Sequence, residues 1–149
     1  VIPELQSMYN RGGGKPVARY YEGFAGVKNI LQDILDTMTR EKKTEYFVYS
    51  SANIRELLYK KFPHFTKERI RLGLAVKVIA FGEGGKEQAL SERKWLTTEA
   101  MAPAYTLIYG SKTAHIGLDG AENPMGVVVE DPNISCTQQM IFERLWNTL

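Results

Sequence analysis

The sequence predicts a single α/β domain, and three features carry that prediction. Val27, Ile30, Leu31, Ile34, Leu35 and Met38 fall on one helical stripe. The run Val76 to Phe81 (VKVIAF) is almost continuously apolar, as a strand covered on both faces requires. Around them, runs suited to strands and runs suited to helices alternate. The chain has 149 residues, one domain's length, with 44% hydrophobic and 24% charged residues, which argues against wholesale disorder. A formal net charge of +2 is too small to bind nucleic acid by bulk charge. One cysteine excludes an intramolecular disulfide framework and a multi-cysteine metal site. No apolar run approaches the roughly 20 residues that span a bilayer and no signal peptide is visible, so a cytoplasmic protein is expected. Val1 in place of Met predicts a piece of a longer chain.

In order along the chain, residues 1–10 carry Ile2, Leu5 and Tyr9 at helical spacing with Met8 beside them. Two readings fit: the end of an upstream amphipathic helix, or a frayed terminus. Residues 11–16 hold three consecutive glycines and Pro16, a hinge or linker. The domain proper is expected over 17–149. Val17 to Glu22 suits a strand ended by Gly23. The stripe from Val27 to Met38 is the clearest helix, with Lys28, Asn29, Gln32, Asp33 and Asp36 on its other side. Tyr46 to Ser50 (YFVYS) is the second strand. Asn53 and Glu56 have the spacing of a capping box, predicting a helix with Ile54, Leu57 and Leu58 that Pro63 interrupts. Thr66 to Leu72 is a second helical piece ending at Gly73, and Val76 to Phe81 a third strand. This first half reads β-α-β-α-β, with parallel strands as the default geometry.

Gly82 to Ala102 is polar and glycine-punctuated, which predicts a loop with at most a short helix, anchored by Trp95 and Leu96. Tyr105 to Tyr109 and Thr113 to Leu118 flank a turn at Gly110 and form a hairpin. Gly126 to Glu130 is a further strand. Asp131 then Pro132 is a helix start. That last helix carries Ile134, Ile141 and Leu145 on one line, broadened by Cys136, Met140, Phe142 and Trp146, so extensive burial is expected.

Most chemical motifs fail on inspection. Gly12–Lys15 and Gly82–Lys86 lack the leading glycine and the trailing Ser or Thr of a P-loop, and Glu87 stands where a dinucleotide loop needs its third glycine. His64 and His115 are the only histidines and neither has an acidic or histidine partner at ligand spacing, so no metal or cofactor is expected. His115 reads as a hydrogen-bonded core or sheet residue, His64 as surface, and Cys136 as an apolar filler. The basic stretch Arg55, Lys60, Lys61, Lys67, Arg69, Arg71 and Lys77 reads as the solvated face of the second helical region rather than a DNA contact.

What remains is polar chemistry where strands end: Tyr21 and Glu22 after the first, Ser50 and Ser51 after the second. In open α/β sheets ligands lie at the carboxyl ends of strands beside helix N-termini. Phenol rings can pack on a sugar's C–H face while carboxylate and hydroxyl groups pair with its hydroxyls. These residues equally suit a plain structural role, filling sheet faces and capping a helix.

Several stretches resemble the effector-binding domain of TrmB-like transcriptional regulators: Arg19 to Gly23 (RYYEG) with Val27 to Leu31 (VKNIL), the basic helix, glycine and strand from Phe65 to Ile79, Pro103 to Lys112, Val127 to Asp131 and Ile141 to Trp146. The resemblance runs from about Pro16 to Trp146. It implies a phospholipase D-like α/β sandwich that follows an upstream winged-helix DNA-binding domain, forms a homodimer and senses a small molecule, a sugar in the best-known members. Phospholipase D enzymes need H-x-K-x4-D, in which histidine attacks phosphorus and lysine steadies the charge. His64 is followed by Phe65 and Thr66, and His115 by Ile116 and Gly117, so H-x-K is absent. The strand pair where it should sit has Tyr105, Thr106 and Lys112 instead. The expectation is a non-catalytic ligand-sensing domain with Tyr21, Glu22, Ser50, Ser51 and Tyr105 as contacts. The alternatives are a phosphodiesterase or nuclease rebuilt on His115 and Lys112, and a dimerisation module without ligand.

Overall fold

The computed structural model describes residues 15–99 and 104–149. The upstream helix end expected over residues 1–10 and the glycines of the expected linker lie outside the described residues. The described chain folds as one seven-stranded mixed sheet with helices on both faces, a phospholipase D-like α/β sandwich.

β1 (Val17–Glu22) leads into α1 (Gly23–Arg40), and β2 (Glu45–Ser51) into α2 (Ala52–Lys61) and α3 (His64–Arg71). β3 (Ala75–Phe81) and β4 (Ser91–Thr97) follow, then the hairpin β5 (Tyr105–Tyr109) and β6 (Lys112–Leu118), β7 (Pro124–Glu130) and α4 (Pro132–Trp146). The strand order is β1-β7-β6-β5-β2-β3-β4. β2, β3 and β4 pair in parallel, and every other neighbouring pair is antiparallel. β1 therefore runs in the same direction as β2, as the β-α-β reading requires, but does not lie beside it. The meander β5-β6-β7 inserts between them, because antiparallel hairpins close locally whereas an 18-residue helix, about 27 Å long, reaches across the sheet.

The stripe on α1 packs as its spacing predicts, with Val27, Ile30, Leu31, Ile34, Leu35 and Met38 all buried. It meets Tyr46, Val48, Val76, Val78, Leu107, Ile116 and Val128, the alternate residues of five strands, so the main core lies between the sheet and α1 to α3. A smaller core on the opposite face joins Phe47, Ile79 and Ile108 to Phe142 and Trp146 of α4. The Phe47 and Phe142 ring centroids are 5.0 Å apart.

Four expectations need correction. The first concerns Ser91–Thr97, which is a strand and not a loop. Its one buried residue is Arg93, while Trp95 and Leu96 are exposed, so the inward position carries a charge where the sequence pattern looks for an apolar residue. The second concerns α2, which starts at Ala52 with Ser51 in the cap position and makes no side-chain cap bond, so the Asn53–Glu56 box is not used. The third is α4, which turns a different face inward: Ser135, Phe142 and Trp146 are buried, whereas Ile134, Met140, Ile141 and Cys136 are exposed. Ser135 is drawn in because its hydroxyl donates to the Gly110 carbonyl at 2.6 Å. The fourth is Asp33, which leaves the solvated side of α1 to pair with β6.

Asp33 accepts from Lys112 Nζ at 3.0 and 3.1 Å and from the Tyr109 hydroxyl at 2.9 Å. Burial, then the neighbouring Asp33 carboxylate, push the Tyr109 phenol well above its ordinary range, so it stays a donor. Nearby, Glu41 accepts from the amide and hydroxyl of Ser111 in the β5–β6 turn. That turn places Gly110 at φ 58° with its α-carbon against Glu41: a Cβ there would lie 2.7 Å from Oε1. The start of α4 is as the sequence predicts, since Asp131 Oδ2 accepts from the Ile134 amide at 2.9 Å behind Pro132.

Lys112 is only 5% exposed, so its charge depends on Asp33. Asp33→Ala is expected to cost about 2–3 kcal/mol in urea unfolding, and Asp33→Ala with Lys112→Met to recover most of it. Equal losses in the single and double variants would show that the pair is not coupled.

Candidate functional site

The strand directions gather the carboxyl ends of β1, β2, β3, β4 and β6 on one edge of the sheet, together with the start of β5. Ser50, near the end of β2, points toward the α1–α3 face and is buried. Ser51 follows with the opposite parity, and its buried hydroxyl has no hydrogen-bond partner. Tyr105 opens β5 next to Ser50 in register and is half-buried. Burial, with Tyr59 nearby, holds the Tyr105 phenol above its ordinary range, which keeps it protonated.

Two arginines complete this cluster. Arg55 lies in the first turns of α2 and folds back on the strand that precedes it. Its Nη1 donates to the Ser50 hydroxyl at 3.1 Å and the Ser50 carbonyl at 3.3 Å, and its Nη2 to the Glu83 carbonyl at 2.9 Å. It is 1% exposed. Burial, and then the neighbouring Arg93 charge, pull its affinity for the proton below the ordinary arginine range. Arg93 reaches in from β4, where it pairs in register with Val78, and is 7% exposed. Among the described residues its only hydrogen bond is a long one, from Nη2 to the Tyr59 hydroxyl at 3.4 Å, and its Nε and Nη1 atoms are buried without a partner. Tyr59 is one helical turn beyond Arg55, and its half-exposed ring connects the cluster to the surface.

The loop after β3 lies against both guanidinium groups. Gly84 and Gly85 have φ of 94° and 89°, a region that glycine alone adopts without strain. A Cβ on Gly85 would sit 2.7 Å from Arg93 Cζ, and one on Gly84 3.7 Å from Arg55 Nη2. The Gly82–Lys86 run, which fails as a phosphate-loop motif, thus serves as a close backbone cover for two cations. Beneath it is a crevice of about 60 Å³ lined by Arg93, Tyr59, Tyr105, Tyr46 and Arg69 among others. A larger groove of about 430 Å³ runs between α1 and the α2–α3 corner, but Phe24, Leu31, Leu35, Phe62 and Phe65 give it a largely apolar lining.

The third buried arginine is a useful contrast. Arg69 donates to three carbonyls, of Leu74 at 2.8 Å, Ala89 at 3.0 Å and Leu90 at 3.3 Å, and so clamps the chain on either side of β3. Its guanidinium is engaged by three carbonyls, whereas Arg93 has one long bond to the Tyr59 hydroxyl. Arg55 and Arg69 also correct the expectation of a wholly solvated basic face: Lys60, Lys61, Lys67 and Arg71 are exposed, but these two are in the interior. Among the described residues no carboxylate forms a salt bridge with Arg55, Arg69 or Arg93.

Of the five residues singled out in the sequence, the structure brings Ser50 and Tyr105 together, with Ser51 next along β2 but of opposite parity. Tyr21 and Glu22 sit on β1, separated from β2 by β7, β6 and β5, which puts them about 19 Å away. Glu22 is exposed there, and Tyr21 packs against the main core. Lys112 and His115 are three residues apart on β6 and leave it on opposite faces: Lys112 meets Asp33 of α1, while His115 is exposed on the α4 side, 3.3 Å from the Thr106 hydroxyl. His64 opens α3 at the surface. Neither imidazole lines the crevice. Among the described residues no group of three or more His, Cys, Asp or Glu is placed to hold a metal ion, and no helix is long and apolar enough to cross a membrane.

Arg55, Tyr59 and Arg93 were not anticipated. A signal for the first two exists: Arg55 and Tyr59 are spaced i, i+4 directly after the strand-ending serines. Arg93 has no such signal, because its strand is not recognisable from apolar alternation.

Comparison with solved structures defines the class of fold. NucT from Helicobacter pylori matches with a TM-score of 0.59 at 7% identity, over 89% of this chain and 97% of that one. Nuc from Salmonella typhimurium, a phospholipase D family member, matches with a TM-score of 0.53 at 13% identity, over 89% and 95%. TrmBL2, an archaeal chromatin protein with a novel mode of DNA binding, matches with a TM-score of 0.58 at 12% identity, over 88% of this chain and 51% of that one. The chain therefore spans about half the length of TrmBL2. At these identities the likeness is one of fold, shared by a DNA-binding protein and by a phospholipase D family member. No protein-family model matches the sequence, and no curated protein matches it.

An uncompensated buried cation lowers stability. Arg93→Met, which keeps most of the side-chain volume, is expected to raise the unfolding free energy by about 1–2 kcal/mol. A loss of more than about 1 kcal/mol in the same measurement would mean that Arg93 is a structural residue.

Proposed function

We propose that this chain is a non-catalytic, ligand-sensing domain of a transcriptional regulator, controlling a DNA-binding domain upstream of it. The observation that carries the reading is the cluster at the sheet's carboxyl edge: phenol, hydroxyl and guanidinium groups converge there without an imidazole. Nucleophilic phosphoryl chemistry of the phospholipase D kind needs a histidine with a lysine beside it. Here the lysine of β6 is engaged by Asp33, and His115 is on the other face of the sheet. What the cluster offers is donors and rings, suited to holding a sugar or a related polar metabolite. TrmBL2's fold and DNA binding support the regulatory half of the reading by analogy alone.

Ser50, Ser51 and Tyr105 are the proposed contacts, and Tyr21 with Glu22 would serve a separate contact at the far margin of the sheet. The ligand would touch β2, β5, α2 and β4 at once. It shifts an equilibrium between arrangements of the attached DNA readers only by its differential affinity for them. The reading includes a homodimer, for which α4 offers an apolar face: Met140 is 65% and Ile141 52% exposed.

Calorimetry against a panel of sugars and their phosphate esters tests the site. Ser50→Ala or Tyr105→Phe is expected to weaken the responding compound about tenfold, the loss of one good hydrogen bond, with Glu22→Ala unchanged. Turnover of bis-p-nitrophenyl phosphate that disappears in His115→Ala would overturn the non-catalytic reading. In light scattering, Met140→Glu with Ile141→Glu is expected to give a monomer, and an undiminished dimer would remove that face from the interface.

A further inference from the structure

We infer that the ligand presents an oxyanion, a phosphomonoester or a carboxylate, to Arg93, with Arg55, Tyr59 and Tyr105 completing the site. This rests on the ligand-sensing reading and names its substrate class.

The inference starts from an imbalance of charge. Arg55 and Arg93 are both nine-tenths or more buried and close enough to repel each other. Two guanidinium groups stay charged in proteins, and burying them is costly unless a counter-charge is at hand. The other buried cation with a specific role, Lys112, has its carboxylate within 3.1 Å. Arg69 has three carbonyls. Arg93 has neither: at the wall of the crevice its Nε and Nη1 lie buried against the Gly85 backbone, with no acceptor among the described residues. A folded domain keeps such a group where something it binds supplies the missing acceptors.

The stereochemistry fits an oxyanion better than a neutral polyol. A guanidinium is a planar fork of donors that matches the oxygens of carboxylate or phosphate two at a time, and it has no acceptor to offer a sugar hydroxyl's proton. The side chains lining this point include several donors, Arg93, Arg69 and the hydroxyls of Tyr46, Tyr59 and Tyr105, and no carboxylate. Burial keeps Tyr105 protonated, so it does not add a competing negative charge. The entrance is on the Tyr59 side, where the ring is 40% exposed, while the loop glycines close against Arg93 on the other side.

Three probes with one ring separate the possibilities: glucose, glucose 6-phosphate and glucuronate, titrated into the full chain by calorimetry at a fixed concentration of potassium chloride. At least one anionic probe is expected to bind at least tenfold more tightly than glucose, and the stronger of the two identifies phosphoryl or carboxylate as the head group. Arg93→Met is expected to abolish that preference while remaining folded, as a thermal unfolding transition at or above the wild-type temperature shows. Arg71→Met, which removes an exposed arginine paired with Glu68, is expected to leave it intact. If glucose binds as tightly as either anion and Arg93→Met does not change this, the oxyanion inference falls while the sensing reading stands. If neither anion binds, the inference falls as well. Turnover of bis-p-nitrophenyl phosphate by the same sample would then remove the sensing reading too.

Discussion

A buried pair of positive charges, Arg55 and Arg93, that no described carboxylate neutralises is the constraint on which the proposed site depends. Desolvating a guanidinium beside another guanidinium opposes folding, and no carboxylate among the described residues answers it. The rest of the domain is conventional by comparison. Its main core is an amphipathic helix laid on alternate residues of five strands, and the buried Lys112 is satisfied by Asp33. The local departure is informative because the surrounding structure tolerates it. The hydroxyls of Thr37, Ser51 and Thr113 are also buried without partners among the described residues, but Arg93 is the charged and so the costly case, and stability given up at one place is a usual mark of a binding site.

The fold accounts for why the cluster forms at this edge. Parallel pairing of β2, β3 and β4 aligns their ends, and the hairpin that follows returns β5 antiparallel so that Tyr105 starts where β2 stops. The turn from β2 into α2 brings Arg55 back over Ser50. β4 contributes one inward residue to the helix-covered face, and it is Arg93. The crevice draws its polar groups from β2, α2, α3, β4 and β5, and the Arg93–Tyr59 and Arg69–Leu90 hydrogen bonds tie β4 to the helices over it. In the proposed sensing role, a ligand bridging these elements would change how firmly β4 and α2 are held to the centre, the kind of differential contact a sensor needs.

Much of this architecture was legible in the sequence. The strands at Val17, Tyr46, Val76 and Tyr105, the α1 stripe and the Asp131–Pro132 helix start follow from periodicity and capping chemistry, and all are present. The order of strands was not legible, because side-chain alternation says which face a residue takes but not which strand lies beside it. The face of α4 was misjudged because that helix is apolar nearly all round. Its buried line is displaced by one residue, from Ile134, Ile141 and Leu145 to Ser135, Phe142 and Trp146. The site was half legible. Strand-end serines and Tyr105 announce themselves by position. Arg55 and Arg93 do not, since a charged residue in a polar stretch is ordinarily solvated, and only the tertiary structure shows that these two are enclosed.

The central claim is that Arg93 is the ligand's anchor and not a structural tie. The most direct measurement is the Nε–Hε resonance of Arg93 in a ¹⁵N-labelled chain, followed as the stronger of the two anionic sugars is added. A large shift of that signal, with slowed exchange of its proton with water and smaller changes at Arg55, is the result the account predicts. Saturating binding that leaves the Arg93 signal where it was would contradict it.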